Sequence, residues 1–351
     1  MIPFFLHGRP AAHPLHVRYG KEIGGRFILE DLIMRWQDRD YPAPVRYLAW
    51  VINAFWIVRF KKTLVVTEGI RITAVLAKMF SFNRIRLIGL VDDESSFFIY
   101  SSFYKGLSLR VNRWTYQQYD GFLCIGLMET HLIDTIVRHK VPVRTGFNGI
   151  SAERMRVFTR MEYQPMSNRI VFIGNGPASW RAWYKGIDLM LQVFDSLIDS
   201  GHDLVFEIAG EWDTTELLSL VKGRATRARI RFVGKISEIE SFLSNAVLYL
   251  HTARGEAWGI SVNEAMAAGV VPIVSEWTGS KECVQKVSEE LVVPLDETII
   301  KQRILWYLNL SVEEKQRLSK KCRDVAMAYT EELAVKRFRE MFLQVAGEIG
   351  C

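Results

Sequence analysis

The chain has 351 residues, 49% of them hydrophobic, which is enough for two α/β domains with a core each. Its four cysteines lie far apart, which argues against a zinc site or a disulfide framework and indicates a reducing compartment. The formal net charge is +6, and residues 1–150 carry 20 Lys and Arg against 12 Asp and Glu. A basic half attracts nucleic acid, anionic lipid or phosphorylated substrates. Because no nucleic-acid-binding motif is present, we expect no nucleic-acid partner.

The first ten residues, MIPFFLHGRP, are predicted as a strand that leads into a loop. No basic segment precedes the short apolar run, so a signal peptide is not expected and the predicted location is cytoplasmic. His7, Gly8, His13 and His16 lie in and around this loop, which contains glycine and proline. A loop at the end of a strand should face a ligand cleft, so His7, Gly8 and His13 are candidates for contacts with an acceptor or a phosphate.

Residues 46–62, RYLAWVINAFWIVRFKK, are predicted as a helix with two open interpretations. The apolar part is shorter than the roughly 20 residues needed to cross a bilayer. Two tryptophans and flanking cations suit a helix in the lipid interface, whereas apolar residues on nearly all sides suit a helix buried against a sheet. The basic N-terminal half favours peripheral contact with anionic lipid, which would place the protein at the inner face of the membrane.

Short β-rich runs alternate with helical patterns along the chain, which is typical of parallel sheets with crossover helices. In the first half, strands are predicted at 3–6, 63–67, 86–91, 121–125 and 141–145. In the second half they are predicted at 169–173, 204–209, 230–233, 247–251, 271–274 and 291–293. Residues 151–165 show little apolar periodicity and are predicted as a linker between domains at 1–150 and 166–329. A long helical pattern covers residues 330–351.

The stretch EAWGISVNEAMAAGVVP, at 256–272, places two carboxylates on either side of a glycine. Their spacing is a little over two helical turns, so Glu256 and Glu264 can face one cleft. Gly259 stands where the chain should turn into the helix, and its bare backbone can bring N–H groups close to an anion such as a diphosphate. Carboxylates at this spacing are more often a solvated face, but these two interrupt an apolar, glycine-rich segment, which favours a site.

This stretch resembles the E-x7-E and A-M-A-x-G-x-P signature of the retaining glycosyltransferases of family four, the group 1 glycosyl transferases of GT-B fold. The matching residues are Glu256, Gly259, Glu264, Ala265, Met266, Ala267, Gly269 and Pro272. The resemblance implies an α/β protein with two Rossmann-like domains whose parallel sheets face each other across a cleft. The first domain would bind an acceptor and the second a nucleotide sugar. It also implies that the C-terminal helix crosses back to the first domain.

The resemblance assigns roles to three charged residues of the second domain. Glu256 is expected to bind hydroxyls of the donor sugar, and Glu264 to hold the ribose. The run RIVFIGNGPASWRAWYKGID, at 169–188, is similar to the family's strand, loop and K-G-x-D helix start, whose lysine, here Lys185, holds the donor diphosphate.

The chain departs from the family pattern just before this lysine. The family has an arginine immediately after the strand and its glycine, where this chain has Asn175. Arg181 is the candidate replacement, although an exposed surface position is an equally open interpretation.

The remaining donor-binding candidates lie in two loops. The run RFVGKISEIESFL, at 231–243, resembles a segment that packs against the nucleotide base, which implicates Gly234, Lys235 and Ile236. A tight turn after a strand is the simpler explanation of Gly234 alone. In the E-x7-E segment, Trp258 and Ile260 join Gly259 in the expected donor-binding set.

Members of the family often have a histidine after the strand that corresponds to 86–91, and this chain has Asp92 and Asp93 there. Asp93, with Glu256 and Lys185, is a catalytic candidate that would stabilise positive charge on the sugar or accept the acceptor's proton. Asp92 is an acceptor-side candidate. Capping of the next helix is an equally open role for both acids.

The resemblance implies a hexosyltransferase-type enzyme that moves a sugar from a UDP or GDP sugar to an acceptor hydroxyl with retention. The acceptor would be a glycan or a lipid-linked precursor in polysaccharide, lipopolysaccharide or glycolipid assembly. No cofactor and no obligatory metal are expected, because Lys185 and a helix N-terminus supply positive charge at the diphosphate. The D-x-D-like run Asp38-Arg39-Asp40 lies far from the donor motifs. Two alternatives stay open: an inactive partner subunit that binds nucleotide sugars, and a nucleotide-sugar epimerase on the same fold.

Overall fold

The computed structural model describes residues 2–8, 12–29, 42–59, 63–162, 167–176 and 179–351. The chain forms two compact units. The first consists of Met1–Phe147 together with Ala334–Cys351, and the second of Asn148–Leu333.

The first unit alternates strands and helices from its start. Its strands are β1 (Phe4–His7), β2 (Arg26–Leu29), β3 (Leu64–Glu68), β4 (Arg86–Val91), β5 (Gly121–Ile125) and β6 (Val143–Gly146). Its helices are α1 (Pro14–Glu22), α2 (Ala43–Val58), α3 (Ile72–Phe80), α4 (Ser95–Tyr100), α5 (Gly106–Tyr116) and α6 (Leu127–Ile136). The helix α17 (Glu331–Glu348) returns to this unit at the end of the chain.

The second unit repeats the alternation. Its strands are β7 (Arg169–Ile173), β8 (Val205–Ala209), β9 (Ile230–Gly234), β10 (Leu248–His251), β11 (Val271–Ser275) and β12 (Val292–Val293). Its helices are α7 (Ala152–Phe158), α8 (Ser179–Tyr184), α9 (Ile187–Asp199), α10 (Thr214–Ser219), α11 (Arg224–Arg227), α12 (Ile239–Leu243), α13 (Ile260–Ala268), α14 (Lys281–Val287), α15 (Glu297–Leu308) and α16 (Val312–Ala326), with a short 3₁₀ helix at Glu289–Leu291.

Each unit is built on a six-stranded parallel sheet. The strand orders are β2-β1-β3-β4-β5-β6 and β12-β11-β10-β7-β8-β9. Strands β3, β5 and β11 are buried along their whole length, as expected for parallel strands covered on both faces. The predicted α/β class with two Rossmann-like domains is therefore confirmed.

All eleven predicted strands are found, with bounds that differ from the prediction by at most two residues at either end. The strand β2 was not predicted. It is a four-residue edge strand, RFIL, which begins with two exposed residues and has only a short apolar run.

The segment predicted as a linker at 151–165 is not an extended connection where the structure describes it. It contains α7, whose first turn is capped by the Ser151 side chain, which accepts a hydrogen bond from the Arg154 backbone N–H. Met155 and Phe158 of this helix are buried, which makes it part of the second unit.

The helix α17 packs onto the first unit through its buried apolar face. The rings of Phe338 and Tyr19 stack with their centroids 4.3 Å apart and 4° between their planes. Met341 lies against Gly146 at the end of β6, where a Cβ in place of the glycine hydrogen would lie 2.8 Å from the Met341 sulfur.

A buried charged cluster joins α1 to the ends of β3 and β4. His16 Nδ1 lies 2.6 Å from Glu68 Oε1, and His16 Nε2 lies 2.8 Å from Asp92 Oδ2. Burial alone would lower the pKa of His16, but the two carboxylates outweigh it and raise that pKa to about 9. The same pairing lowers the pKa of Glu68 to about 2 although burial acts in the opposite direction.

The helix α2 is buried on one side and exposes apolar side chains on another, and the predicted contact with the lipid interface stays a prediction. Ala49, Ala54 and Ile57 are buried against the unit, whereas Leu48 and Phe55 are 55% and 60% exposed. Within the described residues, no helix is both long enough and apolar enough to cross a bilayer.

We expect Phe338→Ala to lower the free energy of unfolding by about 3 kcal/mol, because it removes a buried ring from a packed contact. Leu343→Ala on the same helix removes a side chain that is 56% exposed and should have little effect. Urea unfolding of both variants tests the contact, and equal stabilities would contradict it.

We expect the stabilisation by His16 to depend on pH. Since the folded-state pKa lies above the unfolded value of 6.5, the contribution is complete below pH 6.5 and is lost as pH rises through about 9. The shift corresponds to about 3 kcal/mol. His16→Gln should therefore destabilise the protein more at about pH 6 than at about pH 9.5, as measured by urea unfolding. A pH-independent loss, or the same pH dependence for the exposed His131→Gln, would contradict this assignment.

Candidate functional site

The candidate site of the second unit lies at the carboxyl ends of β7 and β10, which are neighbours in the sheet. Ligands of open parallel sheets bind at this edge, because the loops after the strands converge there. The segment from α8 to α9 carries Lys185, and the segment from β10 to α13 carries Glu256.

Several interactions hold these two segments together, among them a hydrogen bond of 2.8 Å from the Arg254 backbone N–H to Tyr184 O. Arg254 makes a bidentate ion pair with Asp188, with N–O distances of 2.7 and 2.8 Å. Thr252 Oγ1 donates a hydrogen bond to Gly186 O over 3.1 Å. Gly186 has φ +71°, and a Cβ there would lie 1.9 Å from Thr252 O, so only glycine allows the two segments to approach this closely.

This approach brings Lys185 and Glu256 into contact. Lys185 Nζ donates a hydrogen bond to Glu256 Oε2, and the two side chains are only 13% and 15% exposed. Burial by itself would raise the pKa of Glu256, but the Lys185 ammonium and His251 outweigh it and hold that pKa well below the ordinary value. Glu256 is therefore a carboxylate at neutral pH.

The helix α13 begins directly after this ion pair. Gly259 forms its N-cap with φ +78°, a left-handed conformation that favours glycine. Gly259 has no side chain that could cap the first turn, so backbone N–H groups at this positive end of the helix can meet an anion, apart from that of Val262, which donates to Gly259 O over 2.9 Å. The backbone N–H of Gly279 and that of Ser280 support the turn by donating to Glu256 O and Trp258 O, each over 2.8 Å.

Glu264 projects from the second turn of α13 and is 2% exposed on its side chain. Its Oε1 accepts a hydrogen bond from Arg154 Nη1 of α7. Burial raises the pKa of Glu264, and Arg154 acts in the opposite direction.

A pocket of about 340 Å³ joins these groups. Its lining comes from the ends of β7, β8 and β10, the loop after β9 and the start of α13. The lining residues are Ile173, Gly174, Asn175, Lys185, Gly210, Lys235, Ile236, Ile239, His251, Glu256, Gly259, Ile260, Ser261 and Glu264. The pocket thus combines two lysines, two carboxylates, a helix N-terminus and apolar side chains, which suits a polar ligand with an anionic part.

Most of the predicted donor-binding residues line this pocket. They are Lys185, Lys235, Ile236, Glu256, Gly259, Ile260 and Glu264. Their individual roles stay predictions.

Three predicted donor-binding residues lie beside the pocket and do not line it within the described part of the chain. Arg181 Nε donates to Asn175 O over 3.2 Å, so the guanidinium is held at the loop after β7. Trp258 is 2% exposed, and its ring centroid lies 5.7 Å from that of Tyr329. Gly234 forms a turn at the end of β9 with φ +70°, in line with the simpler interpretation of this residue.

Sequence reasoning missed His251, Arg154 and Arg254. His251 is buried, lines the pocket, and has its Nε2 3.5 Å from Glu256 Oε2. It is the last residue of a predicted strand, a position at the carboxyl edge of the sheet that could have marked it. The two arginines reach their carboxylates over distances in sequence that no local pattern reveals.

The acceptor-side candidates lie at the carboxyl edge of the first unit's sheet. His7 ends β1 and is buried, whereas His13 precedes α1 and is exposed. A Cβ on Gly8 would lie 2.5 Å from the Arg71 guanidinium, so the backbone and this cation are in close contact.

The two candidate acids of this unit have different partners. Asp92 pairs with His16, as described above. Asp93 Oδ1 accepts hydrogen bonds from the backbone N–H and the hydroxyl of Ser95, the first residue of α4, and its two predicted roles stay predictions. Burial raises the pKa of Asp93. Asp38, Arg39 and Asp40 lie outside the described residues.

Part of the chain is similar in sequence to known proteins. Residues 167–325 match the family model described as Glycosyl transferases group 1. The O-antigen biosynthesis glycosyltransferase WclY of Escherichia coli is 33% identical over 92 residues, which are 26% of this chain and 25% of WclY. The chain thus spans about a quarter of the length of this curated relative.

Solved structures show a similar fold at low sequence identity. HepE of Anabaena, in complex with UDP and glucose, has a TM-score of 0.68 and 12% identity, with 99% of each chain covered. TarM of S. aureus has a TM-score of 0.61 and 14% identity, and the match covers 84% of this chain but 58% of TarM. The predicted GT-B fold is confirmed by these likenesses together with the two parallel sheets.

The predicted recognition is confirmed at the level of the group 1 family, and the retaining family four subtype stays a prediction. The pocket of the second unit lies within the matched residues, as do its lysines and carboxylates. Over residues 167–325, the chain is similar to the glycosyl transferases group 1 family.

Proposed function

We propose that the protein transfers a sugar from a nucleotide-sugar donor to an acceptor hydroxyl, with retention of anomeric configuration, in glycan, lipopolysaccharide or glycolipid assembly. The observation that carries the proposal is the convergence of Lys185, Glu256, Glu264 and the N-terminus of α13 on one pocket. Retention is inferred from the E-x7-E resemblance alone.

The charges of the pocket suit a nucleotide diphosphate sugar. The diphosphate lies against Lys185 and the backbone N–H groups at the start of α13, which stabilise the negative charge that grows on the leaving group. These cationic groups are the reason for proposing a reaction without an obligatory metal. Lys235, which is exposed at the rim, adds positive charge to the same pocket.

The two carboxylates are suited to the neutral parts of such a donor. Glu256, ionised at neutral pH, accepts hydrogen bonds from hydroxyls of the sugar. Glu264, one turn into α13, accepts from the ribose. Hydrogen bonds to hydroxyls fix the sugar's orientation, and binding energy used in this way places the anomeric carbon for attack.

The acceptor is proposed to bind at the first unit, where Asp93 and Asp92 lie at the carboxyl edge of the sheet. Asp93 is the proposed helper that accepts the acceptor's proton or stabilises positive charge on the sugar, because Asp92 is already engaged by His16.

An apolar and basic surface on the first unit supports a lipid-linked acceptor and peripheral contact with anionic membrane. On α2, Leu48 and Phe55 are 55% and 60% exposed. On α5, Leu107 is 71% exposed, and the exposed Arg110 and Arg113 lie on the same helix. Apolar side chains beside cations suit the interface of a bilayer that contains anionic lipids.

The first test is release of nucleoside diphosphate from a panel of UDP and GDP sugars. We expect slow release by the wild type, and a reduction of about 100-fold or more for Lys185→Ala and for Glu256→Gln, because each removes a charged group from the reacting region. Lys222→Ala and Glu313→Gln change exposed residues of the same two types and should leave the rate unchanged.

The same assay separates the alternatives. Binding of a nucleotide sugar, detected as a thermal shift, without release of nucleoside diphosphate for any donor and acceptor mixture would favour an inactive partner subunit. Conversion of one nucleotide sugar into its epimer, with the diphosphate link intact, would favour the epimerase.

The second test addresses the membrane. We expect Phe55→Ser with Leu48→Ser to weaken sedimentation of the protein with vesicles of phosphatidylglycerol and phosphatidylcholine, because apolar area is lost from the contact surface. Leu343→Ser removes an equally exposed apolar residue of α17 and should retain the binding. No difference between these variants would exclude α2 from the contact.

A further inference from the structure

Two basic side chains lie at the same carboxylate oxygen of Glu256. Lys185 Nζ donates to Glu256 Oε2, and His251 Nε2 lies 3.5 Å from the same atom. All three side chains line the pocket in which the donor is proposed to bind.

The His251 imidazole is buried without a well-formed hydrogen bond. Its side chain is 2% exposed, its Nε2 has a long contact of 3.5 Å with Glu256 Oε2, and its Nδ1 has no hydrogen-bond partner among the described residues. A buried polar group without a hydrogen bond is costly, and such groups in folded proteins need an explanation. A state of the site in which Nε2 does bond to Glu256 would supply one.

The groups around His251 determine its charge. Lys185 and Glu256 are the charged groups that act on it, and the rings of Phe172 and Tyr249 cover it at centroid distances of 5.4 and 6.1 Å. The pKa of Tyr249 is raised by burial, so this hydroxyl stays neutral. Burial lowers the pKa of His251, and nearby Lys185 acts in the same direction, so the imidazole is neutral while Lys185 stays at Glu256.

A bound donor changes the charges that act on His251. A diphosphate carries two negative charges, so it attracts the Lys185 ammonium away from the single charge of Glu256. The sugar hydroxyls that meet Glu256 are neutral and cannot replace the lost cation. A buried carboxylate without a compensating charge is unfavourable, and the nearest available base is the His251 imidazole.

We propose that His251 becomes the cationic partner of Glu256 when a donor diphosphate draws Lys185 away, so that donor binding takes up a proton from solvent. The inference rests on the proposed function of this pocket. The proton adds to the free Nε2 or Nδ1 of the neutral imidazole, and no covalent bond to the donor forms or breaks. His251 acts through Glu256 and is a positioning residue: it keeps the carboxylate ionised and oriented toward the sugar.

A first experiment needs no donor. Lys185→Met removes the ammonium, as the diphosphate is proposed to do, and the titration of His251 is followed by NMR with ring-labelled histidine. The signal of His251 is the one absent from His251→Gln. We expect it to titrate at a higher pH in Lys185→Met than in the wild type, and Lys185→Gln should give the same result.

A matched control removes the carboxylate. In Lys185→Met combined with Glu256→Gln, the increase in the titration pH of His251 should disappear, because no anion remains to favour the imidazolium. A merely structural role of His251 would leave its titration unmoved by these changes. An unaltered His251 signal in Lys185→Met overturns the inference and leaves the proposed function untouched.

The second experiment measures the proton directly. Calorimetric titration with UDP-glucose, or with GDP-mannose if that donor alone binds, is run near neutral pH in phosphate and in Tris. The dependence of the heat on the buffer should give an uptake of about one proton per donor bound in the wild type and close to none in His251→Gln.

The outcomes separate the two proposals. Donor binding without proton uptake overturns the role of His251 alone. If none of a panel of UDP and GDP sugars binds, the proposed function fails as well.

Discussion

The bidentate ion pair between Arg254 and Asp188 is the contact on which the donor pocket depends. It joins the segments that follow two neighbouring strands of one sheet, and both side chains are partly shielded from water. Gly186 lets the two backbones meet with no side chain between them. Only because these segments are fixed together do a lysine and a glutamate that are far apart in sequence share one pocket.

The charged groups of the pocket neutralise one another in the structure. Lys185 is paired with Glu256, and Arg154 with Glu264. Burying either carboxylate without a cation would be strongly unfavourable, and the two pairings offset that cost. An anionic ligand that reaches Lys185 therefore meets a cation that is already engaged with Glu256, and its binding exchanges one set of partners for another.

The strands and the two carboxylates could be predicted because their signals are local. Alternation of apolar runs and turns gave the bounds of strands such as β4, β5 and β7, and the E-x7-E spacing placed Glu256 and Glu264 in one pocket. The edge strand β2 was missed although three of its four residues are apolar, because so short a run does not by itself distinguish a strand.

The charged partnerships could not be predicted, because they join residues that lie far apart along the chain. His16 meets Glu68 and Asp92 only after three elements of the first unit have assembled. Likewise, Arg154 reaches Glu264 from a segment whose weak apolar periodicity suggested a linker. Periodicity reports which face of an element is buried, but it contains no information about which charges meet across the fold.

The return of α17 to the first unit has a consequence for how this protein folds during its synthesis on the ribosome. Translation proceeds from the N-terminus, so residues 334–351 emerge after the whole second unit has been made. Until then Tyr19 lacks the ring that covers it, and the end of β6 lacks Met341. During synthesis, the first unit therefore exposes an apolar surface until α17 has been made. The second unit is one contiguous segment, so all of its residues are available before the first unit is complete.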